Sequence, residues 1–265
     1  MKTLKTLLAV IILMSFISCE KVEQQYTNSD KVIVEGYLKA DQKARISVSK
    51  EITYATNDGS EMPIEGLEIT LTNNDITEVM IDKGSGIYES STIIMKANEK
   101  YSMSFDYKGK LITSETTIPE KPKNYKASAT SIAIATFSPG SGAPPSFPDP
   151  IKLTWSNLDS RYFLVVVENI EKNPAAIFDS TMFDLKRVFR NEPLQTNSYE
   201  LNMRSFNYYG THRIILFNIN PEYVSLYENN GSSSLNLTTL PTNIEGGLGI
   251  FTGINSDTIR VEVSD

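Results

Sequence analysis

Short runs in which apolar and polar residues alternate recur along most of this chain, and they constrain its fold more than any other feature. The run "GLEITLTN" places Leu67, Ile69 and Leu71 on one face, and "YSMSFDY" repeats the pattern from Tyr101. An alternation with a period of two is typical of a half-buried β-strand. Turn-forming Asn, Asp and Gly residues separate the runs at intervals of about ten residues. The pattern therefore predicts a mainly β protein built from β-sandwiches.

The order of these runs predicts two sandwich domains. The first covers residues 30–118 and is followed by "IPEKPKN", in which Pro119 and Pro122 cannot donate to a sheet. Residues 119–124 are therefore interpreted as a semi-rigid linker. The second domain, residues 125–265, contains a Pro-, Gly- and Ser-rich insertion, the alternating run "IKLTWSN", and the near-continuous apolar runs "RYFLVVVENI" and "HRIILFNI". Apolar runs of this kind indicate strands buried on both faces.

One short helix is predicted in the second domain. Asn220 is a favourable capping residue, Pro221 suits the first helical position, and Glu222 places a negative charge in the first turn. Tyr223 and Tyr227 lie four residues apart and therefore on one side of this helix. A one-sided aromatic stripe is typical of a helix that packs on a core. We expect the helix to lie against the sandwich.

The first residues have the layout of a signal peptide. Lys2 and Lys5 precede an apolar run that ends at Ile17, which is shorter than the about 20 residues that cross a bilayer. Residues 1–18 are therefore predicted to be removed, and "FISC", which ends in Cys19, resembles a bacterial lipobox. The resemblance implies acylation of Cys19, with more than one chain for stable attachment. An ordinary secretory signal and a buried core cysteine are the alternatives.

The composition of the remaining chain excludes several kinds of partner and site. Residues 19–29 are polar and lack periodicity, which predicts a flexible tether. The formal charge is -7, and removal of residues 1–18 would make it more negative because that segment contains two lysines and no acidic residue. Such a charge disfavours nucleic acid. Because Cys19 is the only cysteine, an intramolecular disulfide and a cysteine-based metal site are excluded.

Several pieces of the sequence together resemble a known family. They are "VIVEGYL", "TTIPEKP", "LTWSN" and the closing "PTNIEGGLGIFTGINSDTIRVEV", of which Asn243 to Phe251 is the most specific. The chain resembles the Bacteroidota lipoproteins of domain-of-unknown-function family 4249. The resemblance implies an outer-membrane lipoprotein, of a kind often encoded beside TonB-dependent transporters, with an accessory or binding role. It supplies no catalytic residue. The first half is also similar to transthyretin-like modules and the second half to fibronectin type III-like sandwiches.

The segment Gly246-Gly247-Leu248-Gly249 raises the question of a phosphate-binding loop. Such a loop leads into a helix N-terminus, whereas an apolar strand pattern follows here, and no Lys-Ser or Lys-Thr pair is present. We therefore interpret these glycines as structural, needed for a positive φ, a bulge or a close backbone approach.

No catalytic or metal site is predicted, and neither is a cofactor. His212 is the only histidine, and no G-x-S-x-G motif accompanies it. Asp179 and Asp184 could act as a carboxylate pair in glycoside hydrolysis, but a solvated surface is the favoured interpretation. The segment "TNDGSE", from Thr56 to Glu61, offers oxygen ligands for calcium but is more typical of a turn.

Aromatic residues of the second domain form the remaining candidate site. Exposed aromatic side chains supply a large, rigid contact area for a ligand or partner. Core packing explains the same residues equally well. The candidates for ligand contact are Phe147, Tyr162, Phe163, Phe206, Tyr208 and Tyr209.

Three functions are compatible with these patterns. The favoured one is a lipid-anchored binding or accessory protein of the outer membrane, without enzymatic activity, that captures a nutrient or glycan and assists a transporter. A structural or adhesive spacer at the cell surface is the second. A hydrolase is the least favoured, because neither His212 nor the carboxylates have a diagnostic motif around them.

Overall fold

The computed structural model describes residues 31–51, 62–74, 76–135, 148–178, 184–229 and 241–265, and these residues are mainly in β-strands. The strands of the first half are β1 (Val32–Lys39), β2 (Lys43–Lys50), β3 (Met62–Pro63), β4 (Thr70–Asn73), β5 (Ile76–Val79), β6 (Ile81–Asp82), β7 (Ile87–Ile94), β8 (Lys100–Tyr107) and β9 (Lys110–Thr117). Those of the second half are β10 (Lys126–Ala127), β11 (Ser131–Ala133), β12 (Ile151–Thr154), β13 (Tyr162–Asn169), β14 (Val188–Arg190), β15 (Ser198–Leu201), β16 (Gly210–Ile219) and β17 (Leu248–Ser264). Within the described ranges the helices are a 3₁₀ turn, Met203–Ser205, and α1 (Pro221–Asn229). The mainly β prediction is confirmed.

A large mixed sheet runs through both halves of the chain. Its order is β14-β13-β16-β17-β1-β2-β7-β6, with β11 beside β17 and β3 beside β2. Strand β17 pairs in parallel with β1 over Leu248 to Ile254, and antiparallel with β16 from Ile254 to Val263. The last strand therefore continues the sheet of the first half into the sheet of the second half.

Two smaller sheets pack against this large sheet and enclose separate cores. The sheet β5-β4-β8-β9 contributes Leu71 and Met103 to core 1, in which they meet Val34, Ile46 and Tyr88 of the large sheet. Because facing sheets enclose these side chains, the first half is a β-sandwich.

Core 2 has the same construction in the second half. The sheet β10-β12-β15 contributes Leu153 and Leu201, which meet Val165, Leu216 and Val261 of the large sheet. Along a strand, residues of the same parity lie on the same face. Phe251 of core 1 and Val261 of core 2 are both at odd positions of β17, so the two cores lie on one face of the large sheet.

Strand β13 is buried on both faces, as its apolar run predicts. Phe163, Val165 and Val167 point into core 2. Leu164 and Val166 belong to core 3, which lies on the opposite face of the large sheet beneath α1 and includes Ile219, Val224 and Ile254. We call this opposite side the outer face.

The division into two domains at residues 119–124 stays a prediction. The structure adds that core 1 is completed by Ile244 and Phe251, which come from the C-terminal half. The reason is the parallel pairing of β1 with β17, which places Gly36 beside Phe251. Because β1 and β17 are so far apart in the sequence, the local pattern of neither strand indicates that they pair.

Glu78 of β5 links the four-stranded sheet to β7 of the large sheet. Its carboxylate accepts hydrogen bonds from the amides of Ser91 and Thr92, at 2.9 and 2.8 Å, and from both of their hydroxyls, at 3.1 and 2.6 Å. Burial alone would raise the pKa of Glu78, but the hydrogen bonds from Thr92, Ser91 and Ile93 outweigh it and lower the pKa below its ordinary value. The ionised carboxylate therefore stabilises the contact between the two sheets.

Replacing Glu78 with alanine is expected to lower the free energy of unfolding by about 1–3 kcal/mol, because several donors lose a charged acceptor. Urea denaturation at pH 7 measures this loss. The wild-type contribution should be complete above about pH 4.5 and be lost as the pH falls further, since the folded-state pKa is the lower one. Glu115→Ala is the control, because Glu115 forms only an exposed ion pair with Lys100. Equal losses for the two variants would contradict the role of Glu78.

Candidate functional site

Helix α1 lies on the outer face and begins at Pro221, as predicted. Its first turn includes the backbone hydrogen bond from Tyr223 to the carbonyl of Asn220, at 3.1 Å. The side chain of Asn220 donates to the carbonyl of Thr117, at 2.8 Å, and to the hydroxyl of Thr116, at 3.1 Å. Asn220 therefore lies at the predicted cap position, and its side-chain amide joins the start of the helix to the end of β9.

Glu222 completes the attachment of α1 to the sheet. Its Oε1 accepts hydrogen bonds from the hydroxyls of Thr116, at 2.8 Å, and Thr252, at 3.0 Å. The same Thr116 hydroxyl accepts the backbone amide of Gly253, at 2.9 Å. These bonds connect β9, β17 and α1, and they hold the helix in one position on the outer face.

Aromatic side chains surround α1 on the outer face. Tyr37 of β1 and Tyr223 of the helix meet edge to face, with ring centroids 6.2 Å apart, and Tyr37 is 38% exposed. Tyr162 and Phe217 are half-buried at the margin of core 3. Burial raises the pKa of Tyr37, as does the charge of Glu35, so its hydroxyl stays protonated at neutral pH and can donate a hydrogen bond.

A cleft of about 180 Å³ lies where the two halves of the chain meet, next to Phe217 and Ile254 of core 3, and we call it the junction cleft. Phe217 and Ile254 provide its apolar lining. The other lining residues come from the β1–β2 turn, from residue 121 and from β17. They are Lys39, Ala40, Asp41, Gln42, Lys121, Asn255 and Ser256.

The walls of the junction cleft are held by hydrogen bonds to backbone carbonyls. In the β1–β2 turn, the amide of Asp41 donates to Met95 at 2.8 Å and the amide of Ala40 donates to Ile254 at 3.3 Å. On the other side, the side chain of Asn255 donates to the carbonyl of Pro119, at 3.0 Å. The backbone around the cleft is therefore pre-formed, which favours binding because little backbone ordering is needed.

A second cleft, of about 220 Å³, lies beside α1. Glu222, Leu226, Thr242 and Asn243 are among its lining residues. The Thr242 hydroxyl donates to the carbonyl of Gly249 at 2.9 Å, and the Asn243 amide is bonded to Phe251 at 2.7 and 2.9 Å. Because Thr242 and Asn243 already have intramolecular partners, this cleft is interpreted as a structural crevice.

The glycine-rich segment before β17 is structural, as predicted. Gly246 and Gly249 have φ values of +81° and +106°, which L side chains rarely adopt. A Cβ atom on Gly247 would lie 2.9 Å from the carbonyl oxygen of Val32, and one on Gly249 would overlap the carbonyl of Val34. The segment approaches β1 too closely for side chains, and it enters a strand, so it lacks the helix N-terminus of a phosphate-binding loop.

The predicted aromatic candidates do not form one surface. Phe206 is fully buried and packs edge to face on His212, with ring centroids 5.1 Å apart, so its assignment as a ligand contact is wrong. Phe163 is likewise buried, in core 2. Tyr209 is half-buried and donates to the carbonyl of Ile134 at 2.9 Å. Core packing and internal hydrogen bonding account for these three residues.

Tyr162 and Tyr208 lie at opposite ends of the sheet, although both are partly exposed. Tyr162 begins β13, whereas the other end of that strand, Asn169, donates to the carbonyl of Tyr209 at 3.0 Å. At about 3.3 Å per residue, the length of β13 separates the two tyrosines by roughly 23 Å. Of the predicted candidates, Tyr162 therefore lies on the aromatic surface around α1. Phe147 lies outside the described residues.

His212 is buried and has no geometry for catalysis. Its exposure is 2%, its Nδ1 lies 2.9 Å from the carbonyl of Gly210, and its Nε2 lies 3.3 Å from the amide nitrogen of Asn169. Burial lowers the pKa of His212 below 6.5. The residue is therefore a neutral core histidine, which disfavours the hydrolase hypothesis.

The other predicted polar sites are largely outside the described residues. Asp184 is exposed and pairs with Lys186 at 3.6 Å, whereas its suggested partner Asp179 is not described. Cys19 and the turn from Thr56 to Glu61 are likewise not described. Among the described side chains, no group of three or more His, Cys, Asp or Glu residues could hold a metal ion. The helices in the described ranges include none whose length and apolar character would allow it to cross a membrane.

The junction cleft was not anticipated because its residues are scattered along the sequence. The β1–β2 turn, residue 121, Phe217 and the centre of β17 come together only through the parallel pairing of β1 with β17. The weak signals in the sequence are a polar turn, "KADQK", and a phenylalanine that follows the aliphatic run Ile214-Ile215-Leu216. Neither signal indicates a binding site unless the pairing of β1 with β17 is known.

Fold and site together define a mainly β protein with two sandwich cores on one shared sheet and small surface clefts, one of them beside α1. Residues 20–260 match the family described as Domain of unknown function (DUF4249), and the chain belongs to this family. No curated protein matches the sequence. Among solved structures, the FN1-FN3 domains of chicken CNTN1 are similar, with 12% identity and a TM-score of 0.28. The match covers 88% of this chain and 64% of that chain, and so low a TM-score supports no functional inference.

Proposed function

We propose that the protein is a lipid-anchored binding protein of the bacterial outer membrane that assists a TonB-dependent transporter in capturing a nutrient or glycan. The observation that carries the binding role is the junction cleft, a pre-formed concavity of about 180 Å³ with a partly apolar lining and several polar side chains. The sequence at Cys19 and the polar segment 19–29 support the anchor. The buried, neutral His212 favours binding over hydrolysis.

The anchor is tested by metabolic labelling with an alkyne analogue of palmitate. The wild-type protein is expected to incorporate the label and to sediment with outer membranes, because acyl chains contribute about 0.8 kcal/mol per buried methylene. Cys19→Ala should lose the label and enter the soluble fraction. Thr27→Ser is the control, because it leaves both the thiol and the lipobox residues in place. An unlabelled wild-type protein would end the lipoprotein proposal.

The transporter role is tested separately by mild crosslinking and purification from native membranes. A TonB-dependent transporter is expected to co-purify with the wild-type protein and to be lost from Cys19→Ala, which would no longer lie at the membrane. Repeated purification of the labelled, membrane-bound protein without any transporter would remove this part of the proposal and leave the anchor intact.

A surface spacer is the second candidate, and the length of β17 favours it. Its 17 residues extend along both cores, which corresponds to roughly 55 Å at about 3.3 Å per residue. A continuous strand of this length stiffens the connection between the two halves. Saturable ligand binding distinguishes the candidates, since a spacer needs none.

A further inference from the structure

The junction cleft contains polar side chains that have no partner within the protein. Lys39, Asp41, Gln42 and Ser256 line the cleft, and their side-chain atoms form no hydrogen bond or ion pair with other described residues. Lys39 and Asp41 do not pair with each other, although they lie two residues apart on one turn. An ammonium group, a carboxylate, an amide and a hydroxyl are thus available at the rim of one small concavity.

The lining of the junction cleft is apolar at one side. Ile254 is 8% exposed, and Phe217 is half-buried and lines the cleft. A phenyl ring and an aliphatic side chain suit a ligand with one apolar surface. Ligand sites commonly combine such a surface with a few convergent polar groups.

The charges around the junction cleft are balanced. Lys121 pairs with Asp257 at 3.0 Å, which leaves Lys39 and Asp41 as one positive and one negative group without partners. A strongly anionic or cationic ligand would meet as much repulsion as attraction here. The balance favours a neutral ligand whose groups both donate and accept hydrogen bonds.

We propose that the junction cleft binds a single ring of a neutral pyranose sugar. The ring places a face of C–H groups on Phe217, and its neighbouring hydroxyls bond to Lys39, Asp41 and Gln42. A volume of about 180 Å³ is below the usual range for ligand pockets, which begins at about 300 Å³, and therefore suits one ring of a longer glycan better than several rings. This inference rests on the proposed binding function and names its ligand class.

The position of the polar groups agrees with this ligand class. The turn that carries Asp41 and Gln42 is fixed at both sides, because the amide of Asp41 donates to Met95 and the amide of Met95 donates back to Gln42, at 2.8 and 2.9 Å. Asp41 has a φ of +62°, a left-handed conformation that Asp tolerates better than most residues. The turn therefore presents these side chains from a fixed backbone, so the entropy lost on binding comes from the side chains and little of it from the backbone.

The test is titration of the full-length protein with methyl glycosides of glucose, galactose, mannose and N-acetylglucosamine. Saturation-transfer NMR and calorimetry are used, in a detergent without a sugar headgroup such as an amine oxide. Saturable binding of at least one glycoside is expected, with the strongest transfer to the ring C–H protons. The double variant Lys39→Ala/Gln42→Ala should raise the Kd at least tenfold. Asp41→Asn should also raise the Kd.

Lys110→Ala is the matched control, because Lys110 is also exposed, forms no side-chain hydrogen bond or ion pair with the described residues, and lies at the far end of β9 from the cleft. It should bind the glycoside with the wild-type Kd. Because the substituted residues are exposed, we expect all variants to keep the wild-type melting temperature, and this is measured for each of them. Binding that persists unchanged in the cleft variants would overturn the inference.

Free amino acids and glucuronate are included in the same titrations. Tighter binding of an amino acid than of any glycoside would overturn the inference, because the ligand would then be zwitterionic. Tighter binding of glucuronate would overturn it too, because the ligand would then be anionic. These outcomes are distinguishable from failure of the proposed function. A labelled, membrane-bound protein that co-purifies with a transporter but binds no glycoside contradicts the sugar site alone.

Discussion

Replacing Gly249 with valine is expected to lower the melting temperature by about 10 °C or more, which corresponds to about 4 kcal/mol for a chain of this size. Gly249 is the residue of β17 that pairs with Val34 of β1. Its φ of +106° is unfavourable for any side chain, and a Cβ atom would overlap the carbonyl of Val34. The two strands would have to separate where the halves of the large sheet join.

Gly109→Val is the matched control for this prediction. Gly109 also has a positive φ, of +78°, but a Cβ atom there would meet nothing within 4 Å. The control therefore contains the backbone strain without the overlap. We expect it to lower the free energy of unfolding by about 1–3 kcal/mol. Thermal unfolding followed by circular dichroism measures both variants. Equal losses would show that the close approach to Val34 is unimportant. A stable Gly249→Val variant that had lost glycoside binding would assign Gly249 to a ligand site instead.

Local sequence patterns were sufficient to predict most of the strands and the helix. The alternation from Tyr101 corresponds to β8, whose Tyr101, Met103 and Phe105 are buried in core 1. The unbroken apolar run of β13 is buried on both faces, because core 2 and core 3 lie on opposite sides of it. These predictions succeed because side-chain direction along one element depends on neighbours within that element.

The features that were not predicted depend on residues far apart in the sequence. Aromatic identity alone does not distinguish Phe206, which is buried beside His212, from Phe217, which is partly exposed at the junction cleft. The cleft itself requires the parallel pairing of β1 with β17, a contact across more than two hundred residues. No periodicity within either strand specifies that partner. The position of the candidate site was therefore accessible only from the tertiary structure.

Acidification is expected to destabilise the protein through His212. The Nδ1 atom lies 2.9 Å from the carbonyl oxygen of Gly210 and must donate to it, so Nε2 accepts from the side-chain amide of Asn169. That amide cannot rotate freely, because it also donates to Tyr209 at 3.0 Å and its oxygen accepts the amide of Glu171 at 3.1 Å. A proton on Nε2 would therefore face another donor in a buried site.

The direction of the pH dependence follows from this arrangement. Burial lowers the pKa of His212 below 6.5, and the hydrogen bond to Gly210 and the charges of Glu262 and Glu171 offset this effect only in part. Between 6.5 and the lower folded-state pKa, the unfolded chain binds the proton more tightly than the folded chain does. Stability is therefore complete above about pH 6.5 and falls as the pH decreases through this window, by about 1.4 kcal/mol for each unit of pKa difference.

His212→Asn separates this titration from other acid effects. The asparagine amide can still donate to Gly210, but it does not titrate, so the variant should be less stable than wild type at pH 8 by about 1–3 kcal/mol and lose less stability on acidification to pH 5. Urea denaturation at several pH values measures both quantities. Glu78 titrates at lower pH and is not expected to contribute in this window. Parallel pH profiles for His212→Asn and wild type would contradict the argument, because they would show that the buried imidazole carries the same proton in the folded and unfolded chains.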